Sequence, residues 1–128
     1  AETGSAGSMA AAALVTFAEG SLNQAVGAAS IALQNALGII CDPIGNRVEA
    51  PCLGKNVMAA SNALSSANMA LADYKHLIPF DEVVEAMNKV GKAMPHQHCC
   101  TGLGGLAMTP TAQKIENELT KGHVKISC

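Results

Sequence analysis

Five cysteines are the residues of this chain that have the clearest capacity for chemistry. Cys41 and Cys52 bracket a short polar loop, "CDPIGNRVEAPC", and each lies beside or near a proline. Cys99 and Cys100 are adjacent in a second irregular stretch, and Cys128 is the last residue. So few thiols, in an odd number, are not typical of a secreted disulfide scaffold, whereas clustered thiolates bind metal or act as nucleophiles. Each cysteine taken alone could equally be a small buried hydrophobe.

The spacing of these thiols bears on which metal they could bind. Structural zinc sites commonly use cysteine pairs about two to four residues apart. Cys41 and Cys52 are eleven positions apart, and the adjacent Cys99 and Cys100 can hardly both face one ion. Iron–sulfur clusters tolerate wider spacing, because each thiolate binds a different corner of a large cluster. Spacing alone leaves an iron–sulfur cluster, a structural metal and simple packing all open.

The first half of the chain must position the Cys41–Cys52 loop through helices. Residues 6–19 are apolar on all sides, which predicts a central Ala-rich helix that is buried all round. Ser21 is predicted to cap a second helix, with Gln24 in the capping-box position. Residues 41–54 contain the prolines and glycines of a loop, and a helix over about 55–72 follows.

The second half repeats this alternation of helix and irregular chain. Asp81 is predicted to cap a helix that reaches about Met94. Residues 95–109 form the second irregular stretch, and the last helix opens at Thr109-Pro110 and stops at Gly122. The sequence "GLGG" in this second irregular stretch lacks the Lys-Ser/Thr of a phosphate loop and predicts a tight turn with close backbone approach. No two-residue alternation typical of strands occurs, so we expect one all-α domain over 1–128, a compact bundle of about five helices.

Composition and charge limit the partners of this domain. The chain is 49% hydrophobic but 2% aromatic, which predicts a core of Ala, Leu, Val, Ile and Met between closely approaching helices. A formal charge of −2 gives no electrostatic reason to expect nucleic acid or an anionic membrane as a partner. No apolar run is long enough to span a bilayer, and no signal peptide is evident. The default expectation is a cytoplasmic protein.

The loop with its flanks, "CDPIGNRVEAPCLGKN", resembles the signature of the iron–sulfur L-serine dehydratases (L-serine ammonia-lyases). That signature has Cys-Asp-Pro, a short loop, Pro-Cys, two variable residues, a basic residue and Asn. The matching residues here are Cys41, Asp42, Pro43, Pro51, Cys52, Lys55 and Asn56. "AETGSAGSMAAAALV", "IPFDEVVEAMNKVGKAMP" and "TGLGGLAMTPT" resemble further parts of the family, so the resemblance extends over most of the chain.

The resemblance implies an enzyme with a [4Fe–4S] cluster held by three cysteine thiolates, its fourth iron open. That iron would act as a Lewis acid on the carboxylate and hydroxyl of L-serine. A base would remove the Cα proton and hydroxide would leave, and the aminoacrylate would decay to pyruvate and ammonia. Cys41 and Cys52 would be two of the ligands, and the third is expected just upstream of Ala1. The chain would then be the C-terminal part of a larger catalytic alpha domain, a fragment or a processed subunit, inactive alone.

Further site residues follow from the same resemblance. A C-terminal cysteine can fold back onto the open iron in single-chain members until substrate displaces it, so Cys128 is a candidate ligand of that iron, the alternative being a frayed terminal thiol. Asn56, Lys55 and Asp42 are candidates for contacts to a cluster sulfur or to the substrate, and helix capping and solvation are their alternatives. Glu2 and Thr3 are expected near the same site. Cys99, Cys100, His96 and His98 match no position that the family requires and are expected to be incidental. The general base is not identified.

The implied partners are L-serine, the remainder of the alpha domain, and a beta or regulatory domain or subunit, in a homodimer or heterodimer. Two alternatives stay open. A related iron–sulfur L-cysteine desulfidase would use the same cluster on another substrate. A non-catalytic helical module would use the thiols for a structural metal or a partner interface.

Overall fold

The computed structural model describes residues 2–122, which belong to two compact units of the chain. The first unit consists of Ala1–Ile39 and Lys55–Ala93, and the second of Ile40–Gly54 and Met94–Cys128. The described residues contain five α-helices and no strand beyond two isolated backbone bridges. The all-α prediction is therefore confirmed.

The first unit is built from four helices. Helix α1 spans Glu2–Phe17, α2 spans Leu22–Gln34, α4 spans Phe80–Ala93, and α3, Cys52–Leu71, lies in this unit from Lys55 onward. The second unit holds the first residues of α3, two short 3₁₀ helices and α5. The 3₁₀ helices span His96–His98 and Gly105–Met108, and α5 spans Pro110–Thr120. Both irregular stretches of the sequence thus fall in the second unit.

Local capping explains where several helices begin. The predicted capping box is present: Gln24 N donates to Ser21 Oγ at 3.2 Å, and Ser21 N donates to Gln24 Oε1 at 2.9 Å. The predicted start of α5 is also confirmed, because the Thr109 hydroxyl accepts from the Ala112 amide and Pro110 opens the helix. Asp81 proves to lie inside the first turn of α4 rather than at its cap.

Alanine faces form the core of the first unit. Buried Ala11 and Val15 of α1 pack with Ala residues of α2 and α3, namely Ala25, Ala28, Ala32, Ala63, Ala67 and Ala70. Side chains this small let backbones approach, and the Ser8 hydroxyl of α1 donates directly to the Ala29 carbonyl of α2 at 2.9 Å. The close approach predicted from composition is therefore present in this unit.

The larger apolar side chains lie outside this core. Met9 and Phe17 of α1 are 67% and 85% exposed, and Val57 and Leu64 of α3 are 60% and 55% exposed. The prediction that α1 is buried on every side is wrong for the described residues, because only the face that carries its small residues is covered. Methionines expected in the core, Met9, Met58, Met69 and Met108, are exposed as well. None of the helices within 2–122 is both long enough and apolar enough to cross a membrane.

The alanine core predicts a strong penalty for added volume. Replacing Ala28, which is 0% exposed, by Leu should lower the free energy of unfolding by about 1–3 kcal/mol, because α1, α2 and α3 would be forced apart. Urea unfolding followed by circular dichroism measures this. The matched control is Ala13→Leu on the exposed side of α1, which should change stability by no more than ~0.5 kcal/mol. Equal unfolding midpoints for the two variants would contradict tight packing at Ala28.

Candidate functional site

The Cys41–Cys52 loop is closed by its own backbone hydrogen bonds within the second unit. Ile44 N donates to the Ala50 carbonyl at 2.9 Å, and Arg47 N donates to the Ile44 carbonyl at 3.1 Å. An antiparallel bridge joins Ile44 and Arg47, whose two intervening residues have the positive φ values typical of a type I′ turn. The polar residues between the two cysteines thus form an ordered turn, and the two thiols stand at its ends.

Cys41 is clamped by the backbone of the second irregular stretch. Its amide donates to the His98 carbonyl at 2.9 Å, and its carbonyl accepts from the Cys100 amide at 3.0 Å. These two bonds make a parallel bridge between Cys41 and Cys99. The expectation that the Cys99 and Cys100 thiols are incidental to the site stays a prediction, but the main chains of His98 and Cys100 hold Cys41 in position. No sequence pattern predicts this pairing, because neither stretch has the residue alternation of a strand.

Asp42 ties the same loop to the glycine turn. Its side chain is buried, and its Oδ2 accepts a hydrogen bond from the Leu106 amide at 2.8 Å. Gly105 has a φ of +60°, and a Cβ atom on it would lie 2.5 Å from Asp42 Oδ2. The predicted tight turn with close backbone approach is confirmed, and the group that it approaches is Asp42. Asp42 thus accepts a hydrogen bond from a backbone amide at the start of the second 3₁₀ helix. This contact resembles helix capping, and it also fixes the orientation of the Asp42 side chain.

Cys52 is the first residue of α3 rather than part of the preceding loop. The following residue, Leu53, donates its amide to the Val48 carbonyl at 3.0 Å, which joins the end of the loop to the helix. Lys55 and Asn56 lie three and four residues after Cys52, which places all three on one helical face. Helix capping is therefore excluded for Lys55 and Asn56, because the helix begins before them.

Thr3 and Asn56 meet in the first unit. The Thr3 hydroxyl of α1 donates to Asn56 Oδ1 of α3 at 3.3 Å. This contact joins two residues that are 53 positions apart and that the resemblance assigns to one site. Glu2 is exposed in the first turn of α1.

The donor set of the described residues is incomplete for a metal ion. Cys41 and Cys52 are half-buried thiols of one unit, whereas Cys99 and Cys100 are exposed. Within residues 2–122, no three His, Cys, Asp or Glu side chains converge in a way that could hold a metal. Two thiolates that flank an ordered loop fit part of the ligand set of an iron–sulfur cluster, for which cysteine is the usual ligand. Cys128, the predicted additional ligand, lies outside the described residues.

The side chain of His98 is half-buried within the second irregular stretch. Its Nδ1 atom is buried and has no hydrogen-bond partner among the residues that the structure describes. Gly104 packs against it so closely that a Cβ would lie 2.9 Å from Nδ1. His96 and His98, which match no position that the family requires, belong to one 3₁₀ turn, and the His98 carbonyl accepts a hydrogen bond from the Cys41 amide.

Comparison with known proteins shows the family to which this chain belongs. Residues 1–107 match the family described as serine dehydratase alpha chain. The chain belongs to this family. The "L-serine dehydratase, alpha chain" of Peptoniphilus asaccharolyticus is 50% identical over 121 residues, which are 94% of this chain and 41% of the relative. The "Probable L-serine dehydratase, alpha chain" of Bacillus subtilis (strain 168) is 49% identical over 122 residues, 95% of this chain and 41% of the relative.

One further relative is named as a serine dehydratase without the words "alpha chain". The "L-serine dehydratase" of Helicobacter pylori (strain 26695) is 42% identical over 110 residues, 85% of this chain and 24% of the relative. The chain thus spans less than half the length of each of these three serine dehydratases.

The contact between Gly105 and Asp42 predicts a specific defect in the second unit. Gly105→Ala should lower the free energy of unfolding by about 1–2 kcal/mol for its positive φ and by about 1–3 kcal/mol more for the clash with Asp42. Gly102→Ala is the matched control, since its φ is +69° but a Cβ there would meet nothing within 4 Å. The Gly102→Ala variant should lose only the about 1–2 kcal/mol that comes from its positive φ. Denaturant unfolding of both variants measures the difference, and equal losses would show that Asp42 does not pack against this turn.

Proposed function

We propose that this chain forms the cluster-binding part of an L-serine dehydratase that converts L-serine to pyruvate and ammonia. The observation that carries the proposal is the family match over residues 1–107, which includes the loop that Cys41 and Cys52 flank. The ordered turn between the two thiols supports it further, because a preformed loop lowers the cost of placing two ligands on one group.

The resident cofactor that we propose is a [4Fe–4S] cluster. Cys41 and Cys52 would supply two thiolate ligands, and a third would come from the segment that precedes Ala1 in the family pattern. Cys128 is retained as a candidate for the remaining iron. When bound, the cluster would supply a Lewis-acidic iron that stabilises the negative charge of the departing hydroxide.

The chain's own backbone would hold the two ligands in place. Main-chain hydrogen bonds to His98 and Cys100 position Cys41, and the hydrogen bond between Asp42 and Leu106 anchors the next residue. Cys52 stands at the N-terminus of α3, where the helix dipole favours negative charge. An anionic thiolate cluster would thus be stabilised at that end of the helix.

Asn56, Lys55 and Thr3 would bind the substrate. The hydroxyl of Thr3 donates to Asn56 Oδ1, which leaves the NH₂ group as the donor end of that amide. An amide donor and the Lys55 ammonium, one helical turn from Cys52, suit the α-carboxylate of an amino acid. Glu2, beside Thr3 on α1, would line the same pocket. Serine dehydration needs a base at Cα, and we assign that role to no residue of this chain.

The proposed protein partners are the rest of the catalytic alpha domain and a beta or regulatory domain or subunit, in a homodimer or heterodimer. The exposed apolar side chains of α1 and α3, such as Phe17 and Val57, would pack against the rest of the alpha domain. Thiolate ligands and an oxygen-sensitive cofactor favour a reducing compartment, so we propose that the enzyme is cytoplasmic and acts in amino-acid catabolism.

Removing either thiol should abolish the cofactor. In the intact protein, reconstituted anaerobically with iron and sulfide, Cys41→Ser and Cys52→Ser should lose most of the bound iron, acid-labile sulfide and visible absorbance. Pyruvate formation from L-serine should fall with them. Cys100→Ser is the matched control and should retain all four properties, because its backbone contact does not need the sulfur. A colourless wild-type protein would refute the cluster, and sulfide release from L-cysteine without pyruvate from L-serine would identify a desulfidase.

The contact between Thr3 and Asn56 should matter for catalysis more than for folding. Asn56→Ala and Thr3→Val should each lower kcat/KM for L-serine by about 10–100-fold while iron content stays near that of wild type. Steady-state kinetics and iron analysis measure the two effects. Ser61→Ala is the control, since that exposed hydroxyl of α3 donates within its own helix, to the Val57 carbonyl. A loss of the same size in Ser61→Ala would show that any polar change on α3 has this effect.

A further inference from the structure

The parallel bridge pairs the backbones of two cysteines of the second unit. Cys41 and Cys99 are the paired residues of that bridge, with backbone bonds of 2.9 and 3.0 Å on either side. Paired backbones lie ~4.8 Å apart, and disulfides join Cα atoms about 4.4–6.8 Å apart. Directly paired residues also project their side chains to the same side of the bridge. Cys41 and Cys99 are therefore within the range that a disulfide spans.

The surroundings of the two sulfur atoms differ in a way that gives them different roles. Cys99 is exposed, whereas Cys41 is half-buried. The Cys99 thiol lies 3.5 Å from the Pro95 carbonyl and 3.9 Å from the Met94 carbonyl. Sulfur is a weak donor, so Cys99 can rotate away from these contacts at little cost. Cys99 is thus the thiol that meets an oxidant from solvent, and Cys41 is the neighbour that can react with it next.

We propose that Cys41 and Cys99 form a dithiol–disulfide site that is oxidised by low-molecular-weight disulfides such as oxidised glutathione. The Cys99 thiolate attacks one sulfur of the oxidant, forms a mixed disulfide and releases one thiol. The Cys41 thiolate then attacks the Cys99 sulfur and releases the second thiol. Two protein thiols are oxidised, the oxidant disulfide is reduced to two thiols, and one Cys41–Cys99 bond replaces the bond of the oxidant.

This site has a consequence that rests on the proposed function. A disulfide at Cys41 occupies the sulfur that would ligate iron, so the oxidised protein would not accept a cluster until the bond is reduced. A bound cluster would in turn protect Cys41 from oxidation. The site would thereby make cofactor loading depend on the thiol redox state of the surroundings.

Peptide mapping by mass spectrometry tests the pair itself. The intact protein is stripped of metal with a chelator, reduced, and exposed to oxidised glutathione without oxygen. The expected product is a linked pair of peptides containing Cys41 and Cys99, lighter than their sum by two hydrogen atoms, with both positions lost to alkylation. Cys41→Ser should trap a glutathione adduct on Cys99, and Cys99→Ser should form no link to Cys41.

Cys100→Ser is the matched control for this experiment. Cys100 follows Cys99 directly but is not the bridge partner of Cys41, so this variant should form the Cys41–Cys99 link as wild type does. A predominant link from Cys41 to Cys52, a link from Cys99 to Cys100, or alkylation of Cys41 and Cys99 at the rate of the reduced protein would overturn the proposal. If the link forms equally fast with and without a bound cluster, the dithiol site stands and Cys41 is not a cluster ligand.

Discussion

The second unit depends on the burial of one carboxylate. Asp42 is 2% exposed, and a polar group removed from water costs several kcal/mol unless it is hydrogen-bonded. The Leu106 amide supplies such a bond, and the glycine turn must come close enough for it to form. Any conformation of residues 41–43 that separated Asp42 from this amide would leave a buried carboxyl group with one bond fewer. The burial of Asp42 therefore adds to the main-chain hydrogen bonds that already hold Cys41.

The framework around the thiols is made almost entirely of main-chain atoms. Cys41 is held through its amide and carbonyl, and the turn that follows is closed by the amides of Ile44 and Arg47. These bonds use main-chain atoms, so they do not depend on the sulfur atoms. A site built in this way can change a cysteine without losing its backbone geometry, which is why serine variants report on the chemistry of the sulfur more than on folding.

The sequence predicts the elements of this chain better than their packing. Ser21, Pro110 and the glycine turn follow local rules, so their positions could be read from a few neighbouring residues. The buried faces could not, because Leu22, Val57 and Leu64 fit an apolar stripe at helical spacing yet are exposed. Hydrophobicity favours the larger side chains as core residues, whereas in the first unit close backbone approach favours alanine. The family motif identified Cys41 and Cys52, but the pairing of Cys41 with Cys99 depends on tertiary structure and left no pattern in either segment.

The alanine faces of the first unit also affect how much conformational entropy is lost when its helices pack. Alanine has no side-chain torsion to fix, so burying Ala11, Ala28 or Ala67 costs backbone entropy alone. It also offers no long side chain to interlock with a neighbour. The mutual register of α1, α2 and α3 is therefore specified less by shape-matched side chains than by where two helices come close enough for a short side chain to reach a backbone, as the Ser8 hydroxyl does at the Ala29 carbonyl. Such an interface is inexpensive in entropy to form but has little tolerance for a single added methylene group.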